Sequence, residues 1–217
     1  MENLISVKNL SVGFRSQHKK TNVVHSISFD IPKGKTIALV GESGSGKTVT
    51  ALSILKLLPY PTAFHSSGEI IYNEQNLLNM SDKNIQKIRG KNITTIFQEP
   101  MSSLNPLHTI EKQINEMLIT HSKISYADAT KKTKELLINV GLESISKRIK
   151  SYSYELSGGQ RQRVMIAMGI ANDPDLLIAD EPTTALDVTV QLQILKLIKN
   201  LQKKLNKIGR ASCRERV

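Results

Sequence analysis

The amino-acid sequence predicts an α/β protein built around a parallel sheet. Two short apolar runs, TIALVG at 36–41 and DLLIAD at 175–180, have the composition of buried strands. Each run is followed by a segment in which apolar residues recur at helical spacing, and a glycine-rich stretch separates the first run from its helix. Buried strands that alternate with helices favour parallel pairing, because each crossover helix returns the chain to the same end of the sheet.

The first part of the chain predicts mainly strands. In 23–31, apolar residues at 27, 29 and 31 alternate with polar ones, which is the period of a half-buried strand. The run 36–41 is apolar throughout, which is typical of a strand buried on both faces. A helical pattern begins at Thr48 and stops before Pro59. We expect further strands at 4–14, 68–73 and 92–97.

The second part predicts mainly helices. Residues 108–155 are rich in Lys, Ile, Glu and Leu, with apolar residues at helical spacing, and they indicate a helical insert. A helix follows from LSGGQ to about Asn172, and another, amphipathic, is expected over 188–205. The buried strand 175–180 lies between these two helices.

Composition limits the class of protein. The chain has 217 residues, of which 39% are hydrophobic, and no apolar run approaches the roughly 18 residues of a membrane span. The N-terminus shows no signal-peptide pattern, so we expect a cytosolic protein. The net charge of +11 allows nucleic acid, acidic lipid or nucleotide as a partner. The lysines are scattered without interleaved aromatic residues, which argues against a nucleic-acid surface.

The stretch GESGSGKT fits the P-loop pattern, in which backbone N–H groups and a helix N-terminus surround a phosphate. The lysine of this pattern reaches the β- and γ-phosphates, and the following hydroxyl ligates Mg²⁺. A plain glycine-rich turn is the alternative, but the strand before and the helix after favour phosphate binding. The predicted contacts are Gly41, Glu42, Ser43, Gly44, Ser45, Gly46, Lys47 and Thr48.

Two further motifs suit the same chemistry. Asp180 ends a buried strand, where parallel sheets bind ligands, and it suits Mg²⁺; the adjacent Glu181 is a candidate base for an attacking water. An ordinary Asp-Glu-Pro turn is the alternative. The segment LSGGQ places a serine and two glycines at a helix N-terminus, which predicts a second phosphate-binding end formed by Ser157, Gly158, Gly159 and Gln160.

LSGGQ lies between the P-loop pattern at 41–48 and the acidic strand end at 180–181. This order of motifs resembles the nucleotide-binding domain of ATP-binding-cassette (ABC) ATPases. The resemblance implies a P-loop NTPase (RecA-like) parallel-sheet core with an antiparallel β subdomain and a helical subdomain inserted at about 99–156. It implies that ATP and Mg²⁺ are the cofactors, and that Gln98 contacts Mg²⁺ and the attacking water. The remaining nucleotide contacts that it implies are Thr50, Asp187 in the D-loop TALD, and Phe14, which stacks on adenine or serves as a strand core residue.

Longer segments are similar to the peptide and nickel importers of this family. FQEPMSSLNP at 97–106 and the stretch 164–188 resemble oligopeptide, dipeptide and nickel importer ATPases, and GESGSGKTVTALSILKLLP looks closest to the peptide and microcin C group. This implies membrane permease subunits as partners, a second cassette and, indirectly, an extracytoplasmic binding protein. It also implies a place at the cytoplasmic face of the membrane. Peptide, microcin-like peptide and nickel remain open as substrates, and no nucleic-acid partner is expected.

The end of the chain departs from this pattern. The segment IGRASCRERV, 208–217, resembles a translated sequencing adapter and shows neither a helical nor a strand period, so we expect it to be a non-native tail outside the fold. The family has a switch histidine near position 214, where this chain has Arg214. We therefore expect a C-terminally incomplete domain, 1–207, that binds ATP but hydrolyses it poorly.

Three other functions remain as alternatives. A soluble ABC ATPase that acts on ribosomes or DNA is permitted by the charge, but it would lack a segment like QEPMSSLNP. A P-loop kinase or GTPase is disfavoured by LSGGQ and by the absence of a guanine-reading N-K-x-D sequence. A catalytically inactive binding module is disfavoured by the intact Lys47, Asp180 and Glu181.

Overall fold

Two four-stranded sheets form the framework of the protein in this computed structural model, which describes residues 2–16, 19–97, 103–180, 188–205 and 209–215. The first sheet is antiparallel, with the order β2-β1-β4-β5; its strands are β1 (Asn3–Arg15), β2 (Lys20–Pro32), β4 (Ala63–Tyr72) and β5 (Gln75–Asn76). The second is parallel, with the order β3-β8-β7-β6; its strands are β3 (Thr36–Gly41), β6 (Ile93–Ile96), β7 (Leu176–Asp180) and β8 (Gly209–Glu215).

Helices connect and cover the parallel sheet. They are α1 (Lys47–Ile54), α2 (Asp82–Ile88), α3 (Ile110–Ser122), α4 (Tyr126–Asn139), α5 (Glu143–Ser146), α6 (Gly158–Ile170) and α7 (Val188–Leu205). Single 3₁₀ turns occur at Leu77–Asn79 and Ser153–Glu155. The Thr109 and Ser125 side chains cap α3 and α4 by accepting backbone N–H groups, which satisfies donors that have no partner within the helix. The predicted α/β fold class is confirmed.

Apolar side chains form two cores. One lies among α3, α4, α6 and α7 and includes the fully buried Ile114, Leu137 and Ile166. The other lies between the antiparallel sheet, α1 and the parallel sheet and includes Ile54 and Ile178. Every residue of β7 is buried, as the sequence predicted for this strand. The second core therefore holds the start of α1 close to the end of β7.

The expectation that β3 is buried on both faces is wrong. Ile37 and Leu39 pack against the second core, but the alternate residues are exposed, and Val40 is 55% exposed. Val40 faces an open cleft that Val24 and Ile27 of β2 also line. An apolar run shows that a strand can be buried on both faces, but not whether another element of the chain covers the second face.

The helix after the glycine-rich stretch ends earlier than the sequence predicted, at Ile54 instead of Leu58. Lys56 adopts a left-handed conformation with φ 51°. Its N–H donates to the Ser53 carbonyl, and the Leu57 N–H donates to the Leu52 carbonyl, which is the hydrogen-bond pattern of a Schellman cap. The helix therefore closes on itself before the prolines, without a glycine to mark the end.

The segment 208–217, which we set aside as a non-native tail, nevertheless contributes backbone to the parallel sheet over Gly209–Glu215. This segment forms β8, which pairs in parallel with β3 on one side and with β7 on the other. Without β8, the facing edges of β3 and β7 would present unpaired backbone groups. A segment can pair with them whatever the period of its side chains, because the pairing uses backbone groups alone.

A polar contact joins the two sheets. The Tyr72 hydroxyl of β4 donates to the Asp175 carboxylate over 2.6 Å, and the Asn92 amide donates to the same oxygen over 3.1 Å. Tyr72 is 4% exposed, and burial, followed by the hydrogen bond to Asp175, raises the pKa of its phenol. The phenol therefore keeps its proton and acts as a hydrogen-bond donor between the sheets.

Replacement of Tyr72 by phenylalanine should lower the free energy of unfolding by about 2 kcal/mol, because it leaves a carboxylate short of a buried donor. Urea unfolding followed by circular dichroism measures this change. Tyr126→Phe is the matched control, since Tyr126 is 56% exposed and should lose almost nothing. Equal stability of the two variants would mean that the contact between the sheets contributes nothing.

Candidate functional site

The glycine-rich stretch forms the turn between β3 and α1. Gly44 and Gly46 have φ values of 79° and 87°, in the left-handed region that side chains disfavour. A Cβ at Gly46 would lie 2.9 Å from the Val24 Cγ2 atom and 3.2 Å from the Val23 carbonyl oxygen. Glycine is thus required at position 46 by both conformation and space. The loop backbone turns tightly and leads into the N-terminus of α1.

The ammonium group of Lys47 lies over this turn. Its Nζ atom donates to the carbonyl oxygens of Gly41, over 2.9 Å, and Glu42, over 2.8 Å. These are weak partners for a cation when compared with a phosphate, which carries its own charge. Lys47 is half-buried at the first position of α1, so its charge adds to the positive end of the helix dipole. The arrangement favours an anion in front of the loop.

Thr48 and Asp180 are brought together by the fold. The Thr48 hydroxyl donates to the Asp180 carboxylate over 3.1 Å, although the two residues are 132 positions apart in the chain. Asp180 ends β7 and is 5% exposed. A buried carboxylate is costly unless it is hydrogen-bonded or binds a cation. Two oxygen ligands of this kind fit Mg²⁺, which usually takes one or two protein oxygens together with water and phosphate.

The cleft beside the P-loop has a wall that the sequence analysis missed. Val23, Val24 and His25 of β2 line it together with Gly46, Lys47 and Thr50. Thr50, predicted to contact nucleotide, is buried beneath this cleft. The close approach of Gly46 to β2 is a tertiary contact between distant segments, so no local pattern indicates it.

Phe14 takes a different position from the phosphate-binding residues. It lies on β1 opposite Thr21 of β2, half-buried against the second core. It is not among the residues that line the cleft beside Gly46. Both of the roles considered for it, stacking on a base and packing in the core, therefore remain.

Three predicted residues lie outside the described residues. They are Gln98, Glu181 and Asp187. Their neighbours on the described side are Phe97, 45% exposed after the end of β6, and Asp180 at the end of β7. Since β6 and β7 pair directly in parallel, their carboxyl ends lie side by side at the edge where Thr48 meets Asp180.

The LSGGQ segment forms the N-terminus of α6. The Ser157 hydroxyl accepts the Gln160 N–H, and the Gln160 side chain accepts the Ser157 N–H, a reciprocal capping box. Ser157 and Gly158 are exposed, and Gly159 packs near Val190 of α7. In the described part of the chain, no hydrogen bond joins this helix end to the P-loop. It presents backbone donors to the outside of the molecule.

An apolar groove lies between the two cores, away from the P-loop cleft. It runs from the end of α1, past β6, to the facing surfaces of α3 and α6. Its apolar lining includes Leu57, Phe97, Met117, Met165 and Met168. Phe97 and Leu57 are both substantially exposed, which is unusual for such large apolar side chains unless they meet a partner. The described helices include none that is long and apolar enough to cross a membrane.

Comparison with known families and curated proteins gives concordant results. The family profile described as ABC transporter matches residues 24–184. The peptidoglycan transport ATP-binding protein YejF of Agrobacterium fabrum is 58% identical over 92% of this chain and 36% of its own length. The oligopeptide transport ATP-binding protein OppD of Bacillus subtilis is 49% identical over 94% of this chain and 57% of its own length. The chain thus spans between about a third and three-fifths of these relatives.

A solved structure shows the same fold. The ATP-binding cassette MJ0796, in a dimeric post-hydrolysis state bound to ADP and Pi, superposes with a TM-score of 0.83 at 27% identity. The match covers 97% of this chain and 88% of that one. The P-loop, the end of β7 and the N-terminus of α6 thus belong to the fold that MJ0796 adopts.

Proposed function

Since this chain belongs to the ABC transporter family, we propose that it is the ATP-binding and ATP-hydrolysing part of an importer for peptides or peptide-like compounds. The observation that carries this proposal is the contact between Thr48 of the P-loop and the buried Asp180 at the end of β7. That contact supplies oxygen ligands for a cation directly beside a phosphate-binding loop. The relatives named for oligopeptide and peptidoglycan transport support the substrate class.

Nucleotide binding follows from the loop geometry. The backbone N–H groups of residues 41–48 and the N-terminus of α1 surround the β- and γ-phosphates. Lys47 exchanges its carbonyl partners on Gly41 and Glu42 for phosphate oxygens, a stronger interaction between opposite charges. Thr48 and Asp180 would hold Mg²⁺, which when bound would offset the negative charge of the phosphates. Phe14 and Thr50 complete the nucleotide contacts.

Hydrolysis requires residues next to this centre. We assign Glu181, directly after Asp180, as the base that polarises the attacking water, and Gln98 as the residue that orients this water. Both follow strands whose carboxyl ends lie side by side in the parallel sheet. A carboxylate at this position accepts the proton while the phosphate charge is held by Lys47.

The exposed N-terminus of α6 suggests that two cassettes act together. Ser157 and Gly158 are exposed at this end, and in the described residues no hydrogen bond joins Ser157, Gly158, Gly159 or Gln160 to the P-loop of their own chain. A second cassette, turned to face the first, would place this helix end against the γ-phosphate, with Asp187 at the contact. The dimeric state of MJ0796 with ADP and Pi supports this arrangement.

Uptake assays test the substrate class directly. Deletion of the gene from its native cell should reduce uptake of radiolabelled tripeptides by about tenfold or more, if no other importer takes them. Uptake of labelled nickel should remain unchanged, and restoration of the gene should recover peptide uptake. Loss of nickel uptake with normal peptide uptake would reject the peptide assignment, and a change in neither would reject the importer role for these substrates.

The apolar groove is our candidate for the surface that contacts a membrane partner. We assign it to a short cytoplasmic helix of the permease, which would hold the cassette at the cytoplasmic face of the membrane. Methionine side chains suit such a surface, since they adapt to the shape of the packed partner. The groove touches β6, which leads to Gln98, and α6, which begins with the LSGGQ segment. A helix in this groove would therefore contact elements that lead to the nucleotide.

Replacement of Phe97 by aspartate should weaken association with the permease by about tenfold or more, because it places a charge in a desolvated contact. Co-purification of the coexpressed cassette and its cognate permease measures the effect. Tyr126→Asp is the matched control, because Tyr126 is an exposed aromatic residue on α4 outside the groove. Nucleotide binding should persist in both variants. Normal permease binding by Phe97→Asp would assign the docking surface elsewhere.

A further inference from the structure

A second polar cleft lies where β1, β4 and the segment after α1 meet. It has a volume of about 620 Å³ and shares no lining residue with the cleft beside the P-loop. The titratable and charged groups that line it come from four segments of the chain. They are Arg15 on β1, Lys56 and Tyr60 after α1, His65 on β4 and Asp82 on α2.

The two cations of this cleft have no acidic partner within the described residues. Arg15 lies with its guanidinium carbon 5.3 Å above the centre of the Phe64 ring, an arrangement that holds the group in place. The Lys56 ammonium donates to the Met80 carbonyl over 2.8 Å, which uses one of its three N–H groups. Neither side chain takes part in an ion pair in this part of the protein. Among the described residues that line the cleft, Asp82 is the single carboxylate beside these two positive charges, and it forms no ion pair with either.

His65 carries a buried nitrogen without a hydrogen-bond partner. The Nε2 atom is shielded from solvent, while Nδ1 lies 3.5 Å from the Tyr60 hydroxyl. Burial, and then the charge of Lys56, lowers the pKa of His65, so the ring is held neutral beside two cations. Burial raises the pKa of Tyr60 to about 12, so its hydroxyl stays a neutral donor. The cleft therefore presents two cations and a neutral hydroxyl donor, and the charge of Arg89 also acts on Tyr60.

We propose that this cleft binds the phosphate group of a small soluble ligand, with Arg15 and Lys56 as its charged contacts and Tyr60 as a hydroxyl donor. The planar fork of Arg15 matches the spacing of phosphate oxygens, and Lys56 acts as a point charge beside it. A bound anion offsets the repulsion that Lys56 exerts on a protonated His65. Phosphate binding is thus coupled to proton uptake by the histidine.

Nuclear magnetic resonance of the histidine C2–H signals tests this site separately from the P-loop. The chain has five histidines; His65 reports on the proposed cleft, and His25 lines the cleft beside the P-loop. Inorganic phosphate is titrated at constant ionic strength, once at pH 6 and once at pH 8. The His65 signal should shift to saturation, and the pKa of His65 should rise when phosphate is bound. Assignment uses His65→Gln.

The charged contacts are tested by matched variants. Arg15→Gln should lower the affinity for phosphate, measured from the His65 signal, by about tenfold or more. Lys56→Asn should do the same, and asparagine tolerates the left-handed backbone at this position. Lys83→Gln removes one positive charge from the exposed face of α2, outside the cleft, and should leave the effect unchanged. Acetate replaces phosphate in a parallel titration, and the His65 signal should not saturate over the same range of ligand concentration.

Three results would overturn the proposal. One is a His65 signal that does not saturate with phosphate, even when His25 responds. Another is an equal response in Arg15→Gln, Lys56→Asn and Lys83→Gln, since this would show a general effect of charge. The third is saturation with acetate but not with phosphate, which would replace the phosphate assignment with a carboxylate. None of these results depends on ATP hydrolysis or on peptide transport.

Discussion

Replacement of Lys47 by methionine should lower the rate of ATP hydrolysis by the assembled importer by about 10²–10³-fold. Methionine keeps much of the length of the lysine stem, so α1 should still begin at the same position. What is lost is the cation that lies over the carbonyl groups of Gly41 and Glu42 and that we propose as a contact to the phosphates. Phosphate release from the cassette with its permease and second cassette is the measurement.

Nucleotide affinity separates the contribution of Lys47 to ATP binding from its contribution to ATP hydrolysis. Calorimetric titration with ATP should show that Lys47→Met binds about tenfold or more weakly, through the loss of hydrogen bonds between charged groups. Lys35→Met is the control, because Lys35 is an exposed lysine just before β3. If Lys47→Met bound and hydrolysed ATP as the natural chain does, the phosphates would not lie in the turn between β3 and α1.

Replacement of Asp180 by asparagine should remove most of the effect of Mg²⁺ on ATP binding. The amide keeps one oxygen for the Thr48 hydroxyl but loses the negative charge at the buried end of β7. We expect the gain in ATP affinity on addition of Mg²⁺ to fall by about 10–100-fold. Binding of ATP in the presence of a chelator should change little. Calorimetry with and without Mg²⁺ measures both quantities.

Two further variants make the Asp180 result specific. Asp173→Asn neutralises an exposed carboxylate close to the start of β7 and should leave the Mg²⁺ effect intact. Thr48→Val removes the partner hydroxyl and should weaken the Mg²⁺ effect in the same direction as Asp180→Asn. An undiminished Mg²⁺ effect in Asp180→Asn, with a normal melting temperature, would place the cation on other ligands.

The sequence predicted those parts of the site that depend on local patterns. Gly46 and Lys47 form a strand-to-helix turn because glycines allow the left-handed backbone, and this can be read from eight residues. The helix N-terminus at Ser157 is similarly local, and the structure adds the capping box with Gln160. Thr48 and Asp180 were each assigned to Mg²⁺ from their own motifs, Asp180 because parallel sheets bind ligands at the carboxyl ends of their strands, and the structure brings the two side chains together.

Other features depend on packing that no short pattern contains. The apolar groove takes Met117 from α3 and Met168 from α6, which meet only through tertiary packing. The segment with β5 and α2 was missed because it is short and polar, and only Ile85 of α2 is buried. The backbone of β8 pairs regardless of its side-chain period. Exposure of Val40 depends on which elements cover β3, and that information lies outside the strand itself.

The separation of Thr48 and Asp180 has a consequence during synthesis. The ribosome makes the chain from its N-terminus, and Thr48 is added 132 residues before Asp180. The nascent chain can then form the phosphate-binding turn but lacks the carboxylate that completes the cation site. Loop closure over this distance adds to the entropy that folding must overcome. The affinity for Mg²⁺ with ATP that we propose is therefore acquired late in synthesis, once β7 has joined the sheet.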